Sequence, residues 1–436
     1  MKKIVFIGAG SIIFVKNLIG DCMMTPSVRD SEFALLDIDR EKLYLAEGML
    51  KNLNHNVNQD RATVKAYENQ REALAGADFV INAIQVGGYD PCVINDFEIP
   101  LKYGLKQTYA DTLGIGGIMR GLRTIPVMQG IAADMEELCP NAWLLNYTNP
   151  MAIVTGAMLR CSSIKTIGLC HSVQSCTKDL MRVIGMDETG VEYKIAGINH
   201  QAWLLEVTKD GEDLYPEIKQ RAARLTGRHE DMVRYEIMKR FGYYVTESSQ
   251  HTAEYTPFFI KDKYPEKLEQ YGIKTLMYKD WGRSQAAYWQ QAKKELVDNL
   301  EVTHTRTKEF ASYILDSLIT GTPYRIHANV LNHGYITNLP ENACVEVPCL
   351  VDGTGIYPCH IGALPPQCAA LNRTNINVQE LAIEAALTGK REHMYQAAFL
   401  DPHTASELDM DTIAAMCDEL IAANEKWLPM FFEKNA

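Results

Sequence analysis

The start of the chain constrains the fold more than any other stretch. Residues 3–8, KIVFIG, form a short apolar run that stops at a glycine. Its length and β-branched content suit a strand buried in a parallel sheet. Gly8-Ala9-Gly10-Ser11 then opens a helix predicted to reach about residue 20. Strand, glycine turn and helix in that order make the phosphate corner of a dinucleotide-binding unit. Gly8 serves the tight turn, and Gly10 lets the backbone approach a pyrophosphate. Ser11 lies where the helix N-terminus favours the anion. Ile13 replaces the third glycine of the usual fingerprint. Asp37 ends the second predicted strand, 27 residues beyond Gly10. A carboxylate there accepts from a ribose 2′-hydroxyl and repels a 2′-phosphate, so NAD is favoured over NADP. Asp39 is the alternative ribose contact. The plainer alternative is a glycine turn in the same fold without a cofactor.

The rhythm downstream agrees. Strands are predicted at 32–38, 78–85, 142–146 and 164–170, with helices over Glu41–Leu53, Gln70–Ala75 and Ala152–Arg160. Alternating strands and helices imply a parallel sheet covered on both faces. After about residue 190 the pattern changes. Residues 191–196 and 202–208 read as an antiparallel pair. Helices follow at Asp231–Phe241, Asp280–Leu300 and Lys308–Leu318. Strands 344–351 and 356–361 flank the turn Asp352–Gly355, and helices near 378–398 and 411–424 close the chain. The expected fold is α/β: a Rossmann-like doubly wound parallel sheet with an α+β C-terminal domain, as in lactate and malate dehydrogenases. Residues 1–190 form the NAD-binding domain, and 191–436 the domain for substrate, metal and oligomerisation. No linker or repeat separates them.

Bulk properties narrow the function. A net charge of −12 argues against nucleic acid and anionic membrane as partners. No apolar run is long enough to span a bilayer. The apolar stretch Ile4–Ile7 is too short for a signal peptide. Eleven cysteines without framework spacing point to reduced thiols in the cytoplasm. Cys22, Cys92, Cys139, Cys161, Cys344 and Cys349 read as small core residues.

Two short motifs carry the chemistry. GLCHS (168–172) places Cys170 at a strand end, and GINH (197–200) places His200 in a turn. A thiolate and an imidazole suit a borderline transition metal with positions open for substrate oxygens. Singly, each is more often structural. The segment Asn146–Pro150 follows another strand end. Asn149 there can orient a nicotinamide or bind a hydroxyl, or simply start a turn. Asp111–Gly117 reads as a glycine-rich lid or sugar-binding loop, followed by Arg120 and Arg123. Thr246–Tyr255 is a dense polar loop offering a carboxylate, an imidazole and a phenol.

Together these stretches resemble glycoside hydrolase family 4. The matching segments are FIGAGS (6–11), LLDID (35–39), QVGGYDPC (85–92), DTLGIGGIMRGLRTIP (111–126), LNYTNPMA (145–152), GLCHSVQ (168–174), AGINHQAW (196–203), GYYVTESSQHTAEYTPFF (242–259) and TNINVQ (374–379). They span nearly the whole chain in order. Ile12 and Ile115 depart from the usual pattern without touching a candidate ligand. The resemblance implies hydrolysis of an O-glycosidic bond through a bound NAD⁺: oxidation at sugar C3, deprotonation at C2, elimination, addition of water and re-reduction. It implies a divalent metal, usually Mn²⁺, on Cys170 and His200. It makes Tyr255 the base, with His251 as runner-up and substrate contact, and His171 or Asp111 the leaving-group acid. The CHS variant at 170–172 implies an unphosphorylated sugar, first an α-galactoside of the melibiose kind, then an α-glucoside or α-galacturonide. A homodimer or homotetramer is implied. The rivals are a 2-hydroxy-acid dehydrogenase, which forms net NADH and needs no metal, and a non-catalytic NAD-binding regulator.

Overall fold

The computed structural model describes residues 1–432. Its parallel half contains β1 (Lys3–Ile7), β2 (Glu32–Leu36), β3 (Thr63–Tyr67), β4 (Phe79–Asn82), β5 (Trp143–Asn146) and β6 (Lys165–Gly168). These lie in the order β3-β2-β1-β4-β5-β6, every neighbouring pair parallel. The chain starts in the middle and winds outward twice, so strand order reverses between β1 and β4. Ligands of such sheets bind beyond the strand ends at that reversal. Central strands such as β4 are buried at every residue, as coverage on both faces requires.

The second half adds antiparallel strands: β7 (Val191–Ile198), β8 (Gln201–Lys209), β9 (Glu212–Asp213), β10 (Tyr244–Val245), β11 (Tyr324–Leu331), β12 (Cys344–Asp352) and β13 (Gly355–Pro358). It is not a separate sheet. β11 pairs with β6, setting Asn329 opposite Gly168. Asn329 also faces Glu346 on β12, and Glu346 faces Gly197 on β7. One row of residues therefore crosses from the strand before Cys170 to the strand before His200. That row brings segments far apart in sequence to one end of the sheet.

The structure corrects several expectations. β3 and β11 were not predicted. β3 is an edge strand with only Val64 fully buried. β11 carries Arg325, His327 and Asn329, which hide its apolar character. The glycine-rich segment from Gly114 is not a lid but the start of the 25-residue helix Gly114–Leu138. Its glycines serve close packing. A Cβ on Gly116 would lie 2.6 Å from Ala110, and one on Gly117 would lie 2.6 Å from the Thr112 backbone. The helix expected near 378–398 is two helices, Pro366–Thr388 and Arg391–Leu400, broken at Gly389. Thr246–Tyr255 is no solvated loop. It holds the short helix Ser249–Glu254, and Thr246, His251, Glu254 and Tyr255 are all buried. Cys161 is exposed, whereas Cys22, Cys92, Cys139, Cys344 and Cys349 are buried as expected.

Candidate active site

The phosphate corner forms at the strand-order reversal. Gly8 adopts φ +95°, and a Cβ there would stand 2.5 Å from the Ala83 carbonyl oxygen just past β4. Only glycine fits both the dihedral and the space. Ser11 caps the helix Ile12–Met23 from the solvent side without a side-chain bond to it. Asp37 stands just beyond β2. Its carboxylate accepts from the Gly10 N–H at 2.6 Å and the Asp39 N–H at 2.8 Å. The same group thus shapes the glycine turn and keeps further lone pairs for a ribose. Asp39 is used differently: it caps the helix Arg40–Asn58 by accepting from the Lys42 N–H.

The next strand ends form a rigid shelf. Asn82 donates to Asn146 Oδ1 and to Thr148 Oγ1, both at 3.0 Å, and Asn146 donates to Thr155 Oγ1 at 3.1 Å. Asn146 is therefore structural, fully buried among partners. Asn149, partly exposed, follows it, with its carbonyl accepting from Arg120 Nε at 3.1 Å.

Beyond β6, Cys170 is partly buried, and its Sγ lies 3.3 Å from Ser172 Oγ. His171 points to the half-exposed rim. Its Nε2 meets Glu309 Oε2 at 2.7 Å. Burial alone would lower its pKa, but the Glu309 carboxylate outweighs that and raises it. His200 occupies the two-residue turn between β7 and β8 with φ +61°. It is buried, and its Nδ1 has no hydrogen-bond partner. Burial lowers its pKa, with the neighbouring His251 adding, so the ring is held neutral. A neutral imidazole is the form that binds metal.

Around His200 stand His251 and Asp111, both singled out from the sequence, together with Glu247 and Tyr109, which were not. The His200 ring meets that of His251 edge-on, with centroids 4.5 Å apart. His251 stacks on Tyr109 at 4.3 Å. Its two ring nitrogens face carboxylates, Nδ1 to Glu247 at 3.2 Å and Nε2 to Asp111 at 3.4 Å. Burial opposes protonation, but the two anions raise the His251 pKa well above its usual value. Burial would in turn raise the pKa of both carboxylates, yet His251 holds Asp111 and Glu247 well below the ordinary range. In this geometry the two carboxylates favour the protonated His251 ring, and the ring in turn favours their ionised forms. Glu247, like His200, is a non-glycine residue in the left-handed region, at φ +70°. Such strain costs roughly 1–3 kcal/mol and concentrates at functional sites.

Ligand atoms of His200, Glu247 and His251 lie within 4.8 Å of one another. Cys170 stands outside that triplet, but it is near enough for its charge to bear on Tyr255 and Glu346. Tyr255 is buried and its hydroxyl has no partner. Burial pushes the phenol well above its usual range, and Asp111 and Cys170 add to that. Glu254 anchors the Asp111 loop. Its Oε1 accepts from the Tyr109 N–H at 2.9 Å and the Ala110 N–H at 3.2 Å, and burial moves the carboxyl up to about 7. Glu346 is fully buried in β12 with Oε2 unpaired. Burial raises its pKa well above the ordinary range, Cys170 adds, and His200 pulls it back. A neutral imidazole, a thiol and several unpaired buried polar atoms in one place fit a divalent cation.

The site's surroundings match a known family over nearly the whole chain. Residues 3–186 match the family 4 glycosyl hydrolases, and residues 195–404 match the C-terminal domain of that family. The chain is 56% identical to an alpha-galactosidase of Bacillus subtilis (strain 168), over 99% of this chain and 100% of that one. It is 34% identical to an alpha-galactosidase of Rhizobium meliloti (strain 1021), over 98% and 89%. The fold superposes with a TM-score of 0.80 on the 6-phospho-beta glucosidase of Thermotoga maritima solved with manganese, NAD+ and glucose-6-phosphate, at 22% identity over 98% and 99%. The chain belongs to the family 4 glycosyl hydrolases.

Proposed function

We propose that this glycosyl hydrolase is an α-galactosidase acting on small unphosphorylated α-galactosides such as melibiose. The observation that carries the chemistry is the buried, unpaired Tyr255 hydroxyl beside His200 and Cys170. Full-length similarity to two alpha-galactosidases supports the choice of sugar. Residues 1–190 bind NAD and residues 191–436 supply most of the sugar pocket. Gly8, Gly10 and Ser11 receive the pyrophosphate, and Asp37 the adenosine ribose. Asn149 offers its amide to the nicotinamide or to a sugar hydroxyl.

When bound, NAD⁺ supplies a hydride acceptor for sugar C3, and a divalent cation such as Mn²⁺ supplies positive charge beside the acidified C2. Cys170 and His200 would hold that cation, leaving positions for sugar oxygens. Tyr255 takes the C2 proton. Its phenol is far too weak an acid to ionise unaided, so it depends on positive charge nearby to bring its pKa into range. His171, whose pKa the Glu309 carboxylate raises at the open rim, hands a proton to the departing aglycone oxygen. Asp111, ionised against His251, accepts from a sugar hydroxyl instead of acting as the acid. His251, between its two carboxylates, donates to the sugar.

The protein works in the cytoplasm as a homodimer or homotetramer. Among the described residues no helix is long and apolar enough to cross a membrane. All eleven cysteines are free, as a reducing compartment favours. The test is hydrolysis of p-nitrophenyl α-galactoside with NAD⁺, Mn²⁺ and a thiol, omitting each in turn. Activity that needs NAD⁺ and Mn²⁺ without net NADH formation is the expected result. Turnover of only the α-glucoside or α-galacturonide analogue would overturn the sugar assignment.

A further inference from the structure

We propose that Arg120 is a sugar-binding residue, its guanidinium donating to an oxygen of the galactoside next to the hydroxyl that Asp111 holds. The inference rests on the reading of Asp111 and Asn149 as lining the sugar pocket. Arg120 lies in the second turn of the helix Gly114–Leu138. Its Nε donates to the Asn149 carbonyl at 3.1 Å, which fixes one edge of the guanidinium at the end of the Asn82–Asn146 shelf. Among the described residues the two Nη groups have no hydrogen-bond partner, and no carboxylate stands within ion-pair distance. Neither Nη is among the enclosed unpaired atoms, so both face accessible space.

The two buried arginines are placed differently. Arg123, three residues on, meets Asp96 at 2.8 and 2.6 Å, and Arg234 donates through Nε to Asp231 Oδ1 at 2.6 Å. Enclosed cations are ordinarily paired in this way, because an unpaired one gives up hydration without return. Burial does lower the Arg120 pKa, and Asp111 pulls it back up. Burial would raise the Asp111 pKa in turn, but His251 outweighs that and Arg120 adds to the lowering. Arg120 and Asp111 therefore sense each other's charge without closing into an ion pair; Asp111 faces His251 instead, at 3.4 Å. A donor fork and an acceptor held apart in one site suit a hydroxylated ligand between them. One hydroxyl donates to Asp111, and a neighbouring oxygen accepts from Arg120. The nicotinamide ring of NAD⁺ is itself positive, so a guanidinium gains nothing beside it. A galactoside offers acceptor oxygens and no opposing charge.

The test is calorimetry of galactose binding to the enzyme loaded with NAD⁺ and Mn²⁺, for wild type, Arg120→Gln and Arg120→Lys. Losing a hydrogen bond from a charged donor should weaken galactose binding roughly 10- to 100-fold in Arg120→Gln. Arg120→Lys keeps the charge without the fork, so its loss should be smaller, and it serves if Arg120→Gln disturbs the fold. NAD⁺ affinity should stay within twofold in both. Among the monodeoxygalactoses, the one lacking the oxygen that Arg120 holds should bind wild type and Arg120→Gln equally. Equal galactose affinity in wild type and Arg120→Gln would overturn the inference. So would a parallel loss of galactose and NAD⁺ affinity, which marks a structural role through Asn149, or a loss of the same size for every deoxy sugar. If wild type binds glucose or galacturonate in place of galactose, the sugar assignment beneath falls, and the same comparison with that sugar decides Arg120. No binding of any of the three by wild type would overturn both.

Discussion

Asp37→Asn is the sharpest perturbation of the nucleotide corner. The carboxylate accepts from two backbone N–H groups: Gly10 at 2.6 Å, in the turn that receives the pyrophosphate, and Asp39 at 2.8 Å, in the loop after β2. An asparagine of the same shape can accept one of them with its oxygen. Its NH₂ then faces the other N–H, donor against donor. Hydrogen bonds to a charged group contribute about 1.5–3 kcal/mol. Because Asp37 is only partly buried, solvent recovers some of this, and about 1.5–2 kcal/mol is a fair net loss. At 1.4 kcal/mol per decade, that is roughly a 10- to 30-fold weaker NAD⁺ affinity. The loss of negative charge also removes the repulsion felt by a 2′-phosphate, so NADP⁺ affinity should fall less or rise. Calorimetric titration of both nucleotides into wild type and variant reads both quantities. Unchanged NAD⁺ affinity with unchanged preference over NADP⁺ would refute the assignment of Asp37 to the ribose and to the turn.

Other predictions follow from the same geometry. Tyr255→Phe should abolish turnover while leaving NAD⁺ and Mn²⁺ affinities intact, because only an unpaired hydroxyl is removed; substantial residual kcat would remove Tyr255 as the base. Arg123 and Asp96 form a buried bidentate pair at 2.8 and 2.6 Å, with Asn424 3.3 Å from the guanidinium. Arg123→Met should destabilise by about 3–5 kcal/mol by stranding the carboxylate, and Asp96→Leu in the same chain should recover most of it. Urea unfolding would contradict this if the single variant matched wild type. His327 is buried and its pKa is pushed down to about 3, mainly by burial, with Arg325 adding. Its neutral form is favoured in the fold, so the stability is fully present above pH 6.5 and is lost as pH falls towards 3. At 1.36 kcal/mol per pKa unit the loss reaches about 5 kcal/mol. His327→Gln should flatten the acid limb of unfolding free energy against pH, and an identical acid limb would refute the assignment.

What was legible in the sequence was local. The run KIVFIG with Gly8 and Gly10 specifies its own strand, turn and helix, and Asp37 falls just past the end of the next strand. Cys170 and His200 could be singled out because a thiol and an imidazole follow short strand-ending motifs. Residues whose roles arise from burial and distant pairing were not legible. Glu247 and Glu254 look like ordinary members of a polar stretch. Their environment comes from the Asp111 loop, more than a hundred residues earlier, folding over them. Glu346 left one trace, a single carboxylate within the apolar strand CVEVPCLV, which is costly to bury without a purpose. The glycines of GIGGIMRG misled for a related reason. Glycine marks both flexible loops and close packing, and only the Ala110 and Thr112 contacts distinguish the two.

The most direct test of the central claim is hydrolysis of an α-galactoside in D₂O, with proton NMR of the released galactose. If Tyr255 removes the C2 proton in every turnover, the product carries deuterium at C2. Galactose released at full rate with protium retained at C2 would contradict the account, whatever the metal and nucleotide requirements prove to be.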